Sequence, residues 1–146
     1  MIRKAGPGDI EHIARLGIES LMVNDPYPEL RISQQKVRDM AQELVTNAAN
    51  FAWVAENEKG EVVGAVCGLV HDIMFYERKQ LSVVMFYCRE PGAGGFLIRR
   101  LVKWFRSRPI LKLCVFTLES GADPRIGDLL VKLGLKRELP NFVGVK

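Results

Sequence analysis

Apolar positions along this chain follow two rhythms. Three- and four-residue spacing marks helices, and the first such stripe is Ile10, Ile13, Ala14, Gly17 and Leu21, with Glu11, Arg15 and Glu19 turned elsewhere. It follows Gly6-Pro7-Gly8-Asp9, where proline and aspartate suit a helix start, and it breaks at Asn24-Asp25-Pro26-Tyr27-Pro28. Ser33 is an N-cap for a second helix, whose buried stripe is Val37, Met40, Ala41, Leu44 and Val45. A third helix is predicted from Gly94 to Arg108, with Leu97, Ile98, Leu101, Val102, Trp104 and Phe105 inward and Arg99, Arg100, Lys103 and Arg106 outward. Asp123-Pro124 opens a fourth, which runs through Leu133 and stops at Gly134.

Shorter apolar runs mark strands at Met1–Ala5, Phe51–Asn57 and Glu61–Val70. Glu58-Lys59-Gly60 joins the last two as a hairpin, so they are expected to be antiparallel. Leu81–Cys88 is apolar on both faces, as a strand covered on both sides should be, and Ile110–Leu118 reads as another buried strand. Leu135–Leu139 and Phe142–Val145 are expected to finish the sheet. No repeat or linker interrupts the order. One domain over residues 1–146 is therefore predicted: an α/β fold with a mixed sheet of about six to seven strands and helices on both faces.

The most informative join lies inside that order. The apolar strand ends at Arg89, then Glu90-Pro91-Gly92-Ala93-Gly94-Gly95 leads straight into the third helix. A helix start leaves N–H groups unpaired, its dipole adds about half a positive charge, and glycines let an anion approach the main chain. Phosphate is the natural ligand of such a turn, and Arg89, Arg99, Arg100 and Lys103 supply positive charge around it. A plain tight turn between core elements would use the same glycines. The spacing is that of neither a P-loop nor a dinucleotide-binding fingerprint.

Composition narrows the partners. The chain has 146 residues, 48% hydrophobic and 26% charged, which is enough apolar material for one core. No run approaches the roughly 18 apolar residues of a membrane span, and no signal-like stretch follows Met1-Ile2-Arg3-Lys4, so a cytoplasmic protein with no membrane partner is expected. Cys67, Cys88 and Cys114 are odd in number and sit inside apolar runs, which points to small core hydrophobes and no metal site. Lysine and arginine exceed aspartate and glutamate by 21 to 17, for a net charge of +4 and a pI near 9.1. That bias suits an anionic partner, either a nucleotide cofactor or nucleic acid.

Arg89-x-x-Gly92-x-Gly94 resembles the Arg/Gln-x-x-Gly-x-Gly/Ala signature of the GCN5-related N-acetyltransferases, and the order of elements resembles that family over essentially the whole chain. Within it, the chain is similar to small acetyltransferase-like proteins of bacterial and bacteriophage genomes. The resemblance implies a sheet splayed at the cofactor site, acetyl-CoA as co-substrate and an amine of a small molecule or protein as acceptor. It also implies that Phe86, Tyr87 and Cys88 pair their backbone with the pantetheine arm, and that the amides of Gly92, Ala93, Gly94, Gly95, Phe96 and Leu97 hold the pyrophosphate. Arg89 and Ser120 complete the implied cofactor set.

Acetyl transfer needs a neutral amine, donors for an oxyanion and a proton for the departing thiolate. In the family the oxyanion donor is usually backbone, here near Tyr87 and Cys88. His71, Asp72, Glu77, Tyr87 and Glu119 are the candidate proton carriers at strand ends, with His71, Tyr87 and Glu119 put forward as catalytic. Tyr27 and Tyr76 are expected to border the acceptor. The family often protonates the thiolate from a tyrosine in the last helix, and here Leu130 stands in its place, in Leu129-Leu130-Val131-Lys132-Leu133-Gly134-Leu135. A thiolate with a pKa near 8.5 can leave unaided. Three readings are thus ranked: an active N-acetyltransferase, with room for a homodimer; a CoA-binding or interaction module without chemistry; and a nucleic-acid binder using Arg99, Arg100, Arg106 and Arg108.

Overall fold

The structure is a computed structural model that describes residues 1–118, 122–138 and 142–146. Five strands form one sheet among the described residues: β1 (Ile2–Lys4), β2 (Phe51–Glu56), β3 (Val62–Asp72), β4 (Lys79–Cys88) and β5 (Leu111–Phe116), in that spatial order. Neighbours are antiparallel as far as β4, and β4 pairs β5 in parallel. The helices are α1 (Ile10–Val23), α2 (Gln34–Thr46), α3 (Gly94–Ser107) and α4 (Pro124–Lys132).

Local chemistry sets the boundaries much as the sequence implies. Ser33 accepts the Lys36 amide at 3.2 Å and starts α2, and Asp123 accepts the Arg125 amide at 2.9 Å ahead of Pro124 in α4. The β2–β3 turn closes on Asn57, whose side chain accepts the Lys59 and Glu61 amides at 3.0 Å, with Gly60 at φ +77°. Asp9 holds the turn before α1: it accepts the Gly6 amide at 2.8 Å and a two-toothed pair from Arg3 at 2.7 and 2.9 Å.

Helices cover both faces, as the alternation of elements predicts. Ile13 and Leu16 of α1 and Leu44 of α2 pack on Val54, Ala65 and Cys67, while Leu97 and Leu101 of α3 pack on Phe51, Val66 and Leu81 across the sheet. Each such side chain, fully withdrawn from water, contributes about 1.5–3 kcal/mol. The fourth helix rests on the third through Leu130, Ile98 and Val102.

Three expectations need correction. The sheet has five described strands, fewer than the six to seven predicted. Residues 135–138 and 142–146 form no strand, and 139–141 lie outside the described residues. At the end of α4, Gly134 (φ +97°) turns the chain back, with its amide on the Val131 carbonyl and the Leu135 amide on that of Leu130, both at 2.9 Å. Arg137 then bonds Asp128 at 2.9 Å, so this segment follows α4 and makes no ladder with β5. β5 is also less buried than its composition suggests: Leu111 is buried, but Lys112, Leu113 and Val115 are exposed, because α3 covers only one of its faces. Finally, β4 is apolar on both faces without being buried throughout, since its second half lines a cleft.

Candidate active site

The cleft exists because two parallel strands part company. β5 accompanies β4 from Lys79 to Val83, where Phe116 is the last partner, and β4 runs on through Val84–Cys88 with β3 alone beside it. A bulge marks the parting: Val83 opposes Gly68 and Met85 opposes Cys67, which leaves Val84 as the additional residue. One inserted residue exchanges the two faces of the strand beyond it. Leu81 and Val83 point to the α3 side, and after the bulge Phe86 and Cys88 do so, while Met85 and Tyr87 turn to α1 and α2.

The same register fixes which backbone groups are free. The Arg89 amide donates to the Val63 carbonyl at 2.7 Å. Antiparallel pairs alternate between bonded and unbonded, so Tyr87 with Ala65 and Met85 with Cys67 are the bonded pairs. The N–H and C=O groups of Phe86 and Cys88 therefore face the gap left by β5. Of the three residues expected to offer backbone to an extended ligand arm, Phe86 and Cys88 have theirs free, and the Tyr87 backbone is engaged with β3.

At the end of this free edge lies the glycine turn. Gly92 sits at φ +105°, a conformation side chains rarely adopt. A Cβ on Gly94 would lie 3.1 Å from Phe86 Cζ and 3.6 Å from Cys88 Sγ, so glycine lets the start of α3 approach β4. Ala93 is the N-cap of α3 and offers no side-chain acceptor. The Leu97 amide already donates to the Ala93 carbonyl at 3.1 Å, which removes Leu97 from the expected set of open amides and leaves Gly92, Ala93, Gly94, Gly95 and Phe96. Ala93 packs into the α3-side core, Leu97 is fully buried, and the Phe96 side chain is exposed.

These elements bound a cleft of about 990 Å³ that passes through the gap and has a lobe on each face of the sheet. One lobe lies between Pro91–Gly95, Thr117–Leu118 and α4 residues Arg125, Ile126 and Leu129. The other lies under α1 and α2, against Gly17, Leu21, Val37 and Met40. Its size falls at the upper end of small-ligand sites, about 300–1,000 Å³.

Among the described residues, side-chain chemistry in and around the cleft is sparse. Tyr87 lines it beside Glu19 of α1, and desolvation together with that carboxylate raises the phenol above its ordinary range, so it stays neutral. Glu19 in turn accepts from Arg89 Nε at 3.0 Å, and the guanidinium holds its carboxyl below the usual range. Arg89, expected beside the phosphates, is thus tied to α1. Burial pushes the Cys88 thiol up to about 11, which leaves it protonated and unsuited to attack a thioester. Asp123 is held low by Arg125, 2.7 Å away.

His71 does not line the cleft. It pairs with Gln80 near the far end of the β3–β4 hairpin, with Nε2 2.7 Å from Ser82 Oγ, because the ladder carries it away from the glycine turn. Asp72 bonds Lys79 at 2.8 Å at that same end, and Glu77 and Tyr76 border a small separate depression there. Tyr27 is also outside the cleft, where its neighbour Pro26 lies. Glu119 and Ser120 lie outside the described residues. Leu130 is buried against Ile98 and Val102, so the position at which the family motif carries a tyrosine faces the core, and Ile126 and Leu129 face the cleft. Among the helix arginines, Arg100 stacks on Trp53 at 4.5 Å, Arg108 on Trp104 at 4.8 Å, and Arg106 donates to the Leu133 carbonyl.

Two residues escaped the sequence reading. Glu19 is one polar residue among several on α1, and nothing in its spacing announces a partner seventy positions away. Gly64 did carry a signal, since glycine inside a strand often marks a close approach. A Cβ there would fall 2.7 Å from Cys88 Sγ.

No family model matches this chain, and no curated protein matches it by sequence. Solved structures do. A predicted acetyltransferase from Clostridium acetobutylicum, solved with acetyl-CoA, matches with a TM-score of 0.75 at 15% identity, over 100% of this chain and 95% of that one. A possible acetyltransferase from Clostridium difficile 630 matches with a TM-score of 0.72 at 11% identity, over 100% and 96%. An aminoglycoside acetyltransferase from an uncultured soil metagenomic sample, solved with sisomicin, matches with a TM-score of 0.65 at 13% identity, over 100% and 95%. The identities are low and the coverage is complete: this chain has the fold of the GCN5-related N-acetyltransferases.

Proposed function

We propose that this protein is an acetyl-CoA-dependent N-acetyltransferase. One observation carries the reading: an α3 start with open amides, built from glycine, meets the free backbone edge of β4 at a gap joining two lobes. The amides of Gly94, Gly95 and Phe96 suit a pyrophosphate, and the Phe86 and Cys88 backbone suits the amide groups of a pantetheine arm. This arrangement directs a thioester into the gap, with the amine acceptor entering from the α1–α2 lobe. Structural neighbours support the co-substrate and the reaction class, one of them holding acetyl-CoA and others acting on aminoglycosides.

In the transfer, the amine nitrogen forms a bond to the thioester carbonyl carbon and the carbon–sulfur bond breaks. The amine loses its proton and the thiolate gains one. A backbone N–H of Phe86 or Cys88 suits the oxyanion. Among the described residues, Tyr87 is the member of the proposed catalytic set that lines the cleft, and its neutral phenol is suited to donate. Tyr87→Phe should lower kcat by about 10²-fold while leaving the acetyl-CoA dissociation constant unchanged. An unchanged kcat in a CoA-release assay removes Tyr87 from the mechanism.

A second reading, cofactor binding without turnover, draws on the apolar face that α4 turns to the cleft at Ile126 and Leu129. Acetyl-CoA binding by calorimetry, followed by CoA release with a panel of amines, separates the two. The first reading expects both signals and the second only the former.

A further inference from the structure

The acceptor lobe has a chemical character of its own. Leu21 of α1, Val37, Met40 and Leu44 of α2, and Met85 of β4 wall it. Gly17 keeps it open, since a Cβ there would lie 3.2 Å from Val37 Cγ1 and 3.7 Å from Met85 Sδ. Among the described residues its polar lining is Tyr87, Ser20, Asn24 and one charged group, Lys36.

Charge in the cleft is divided unevenly. Among the described residues, the lining carboxylates are Glu90 and Asp123, which belong to the other lobe, at the β4–α3 turn and the start of α4. The carboxylates of α1 and α2 already have partners: Glu19 holds Arg89, Glu11 holds Arg38, Asp39 accepts from Gln35 and Glu43 from Asn47. Lys36 takes part in none of the ion pairs among the described residues. A polycationic aminosugar entering here would meet apolar walls and a like charge. An apolar body would release wall water, and a carboxylate would find an unengaged ammonium.

We infer that the acceptor is a small monoamine with an apolar body and one carboxylate, the chemical class of a hydrophobic amino acid, and that Lys36 holds the carboxylate. This assignment rests on the acetyltransferase reading.

The test uses the full chain and its Lys36→Glu variant with four probes: phenylalanine, leucine, phenethylamine and kanamycin. CoA release should show kcat/KM for phenylalanine exceeding that for phenethylamine, which lacks the carboxylate, by about tenfold, with kanamycin at the rate seen without acceptor. In Lys36→Glu the phenylalanine-to-phenethylamine ratio should fall at least tenfold, mainly through KM, and an unchanged melting temperature certifies the fold. Kanamycin turned over faster than phenylalanine, or a ratio that Lys36→Glu does not move, overturns the assignment. Acetyl-CoA titration in the calorimeter tells the failures apart: no binding overturns the acetyltransferase reading itself, and binding without phenylalanine turnover overturns the acceptor class alone.

Discussion

The starts of α2 and α3 face the same electrostatic problem and solve it differently. At α2 the hydroxyl of Ser33 accepts the Lys36 amide, so the helix is finished by its own chain. At α3 the N-cap is Ala93, glycines follow, and the open amides face a cleft. Capping a helix start with Ser, Thr, Asp or Asn in place of alanine is worth about 1 kcal/mol, and α3 forgoes that contribution. The first turn stays open, and in the proposed function an external anion supplies what the chain does not. α4 stands closer to α2, since Asp123 caps it and is itself neutralised by Arg125.

The sharpest way to break this contrast is Gly94→Glu. Its side chain would crowd Phe86 and Cys88 and place a carboxylate among the open amides, so acetyl-CoA affinity should drop by about 100-fold or more, read by calorimetry. Retained affinity would falsify the phosphate role of this turn. Gly64→Ala attacks the packing behind it: a Cβ 2.7 Å from Cys88 Sγ and 3.3 Å from the Tyr87 carbonyl oxygen displaces the thiol and crowds the ladder, for an expected loss of about 1–3 kcal/mol in urea unfolding.

Asp9 tests a third helix start and has a definite pH signature. Arg3 holds its carboxyl below the ordinary range, so the folded pKa is depressed. The stabilisation is complete above the unfolded value of about 3.9 and disappears as pH falls through the lower folded value. Asp9→Asn should cost about 1.5–3 kcal/mol at neutral pH and flatten the acid limb of the stability curve below about pH 4, measured by denaturant titration across pH. The smallest effect belongs to Ser33→Ala: about 1 kcal/mol of stability, with acetyl-CoA binding untouched. A matching loss of affinity there would mean that the two helix starts are not functionally separate.

Much of the fold was legible because its signals are local. Ser33, Asp123-Pro124 and Gly134 announce helix ends through groups a few positions away, and Glu58-Lys59-Gly60 announces its hairpin in the same manner. The strand, glycine turn and helix from Leu81 to Ser107 were legible too, and with them the location of the cleft. The final two strands were misread because apolar alternation at Leu135 and Phe142 says nothing about whether a partner edge is reached, and Gly134 with Arg137 turns that segment along α4.

The sequence by itself determined where an anion can meet unpaired amides, since that needs only a strand, glycines and a helix in succession. Tertiary structure decided what surrounds that point. It placed Val84 as a bulge that exchanges the faces of β4, ended β5 at Phe116 so that Phe86 and Cys88 keep free backbone, drew Arg89 to Glu19, carried His71 to the far end of the hairpin and turned Leu130 into the core. The physical reason is range. Caps and turns form between neighbours in the chain, whereas strand register and ion pairs across elements form between residues that only the assembled sheet brings together.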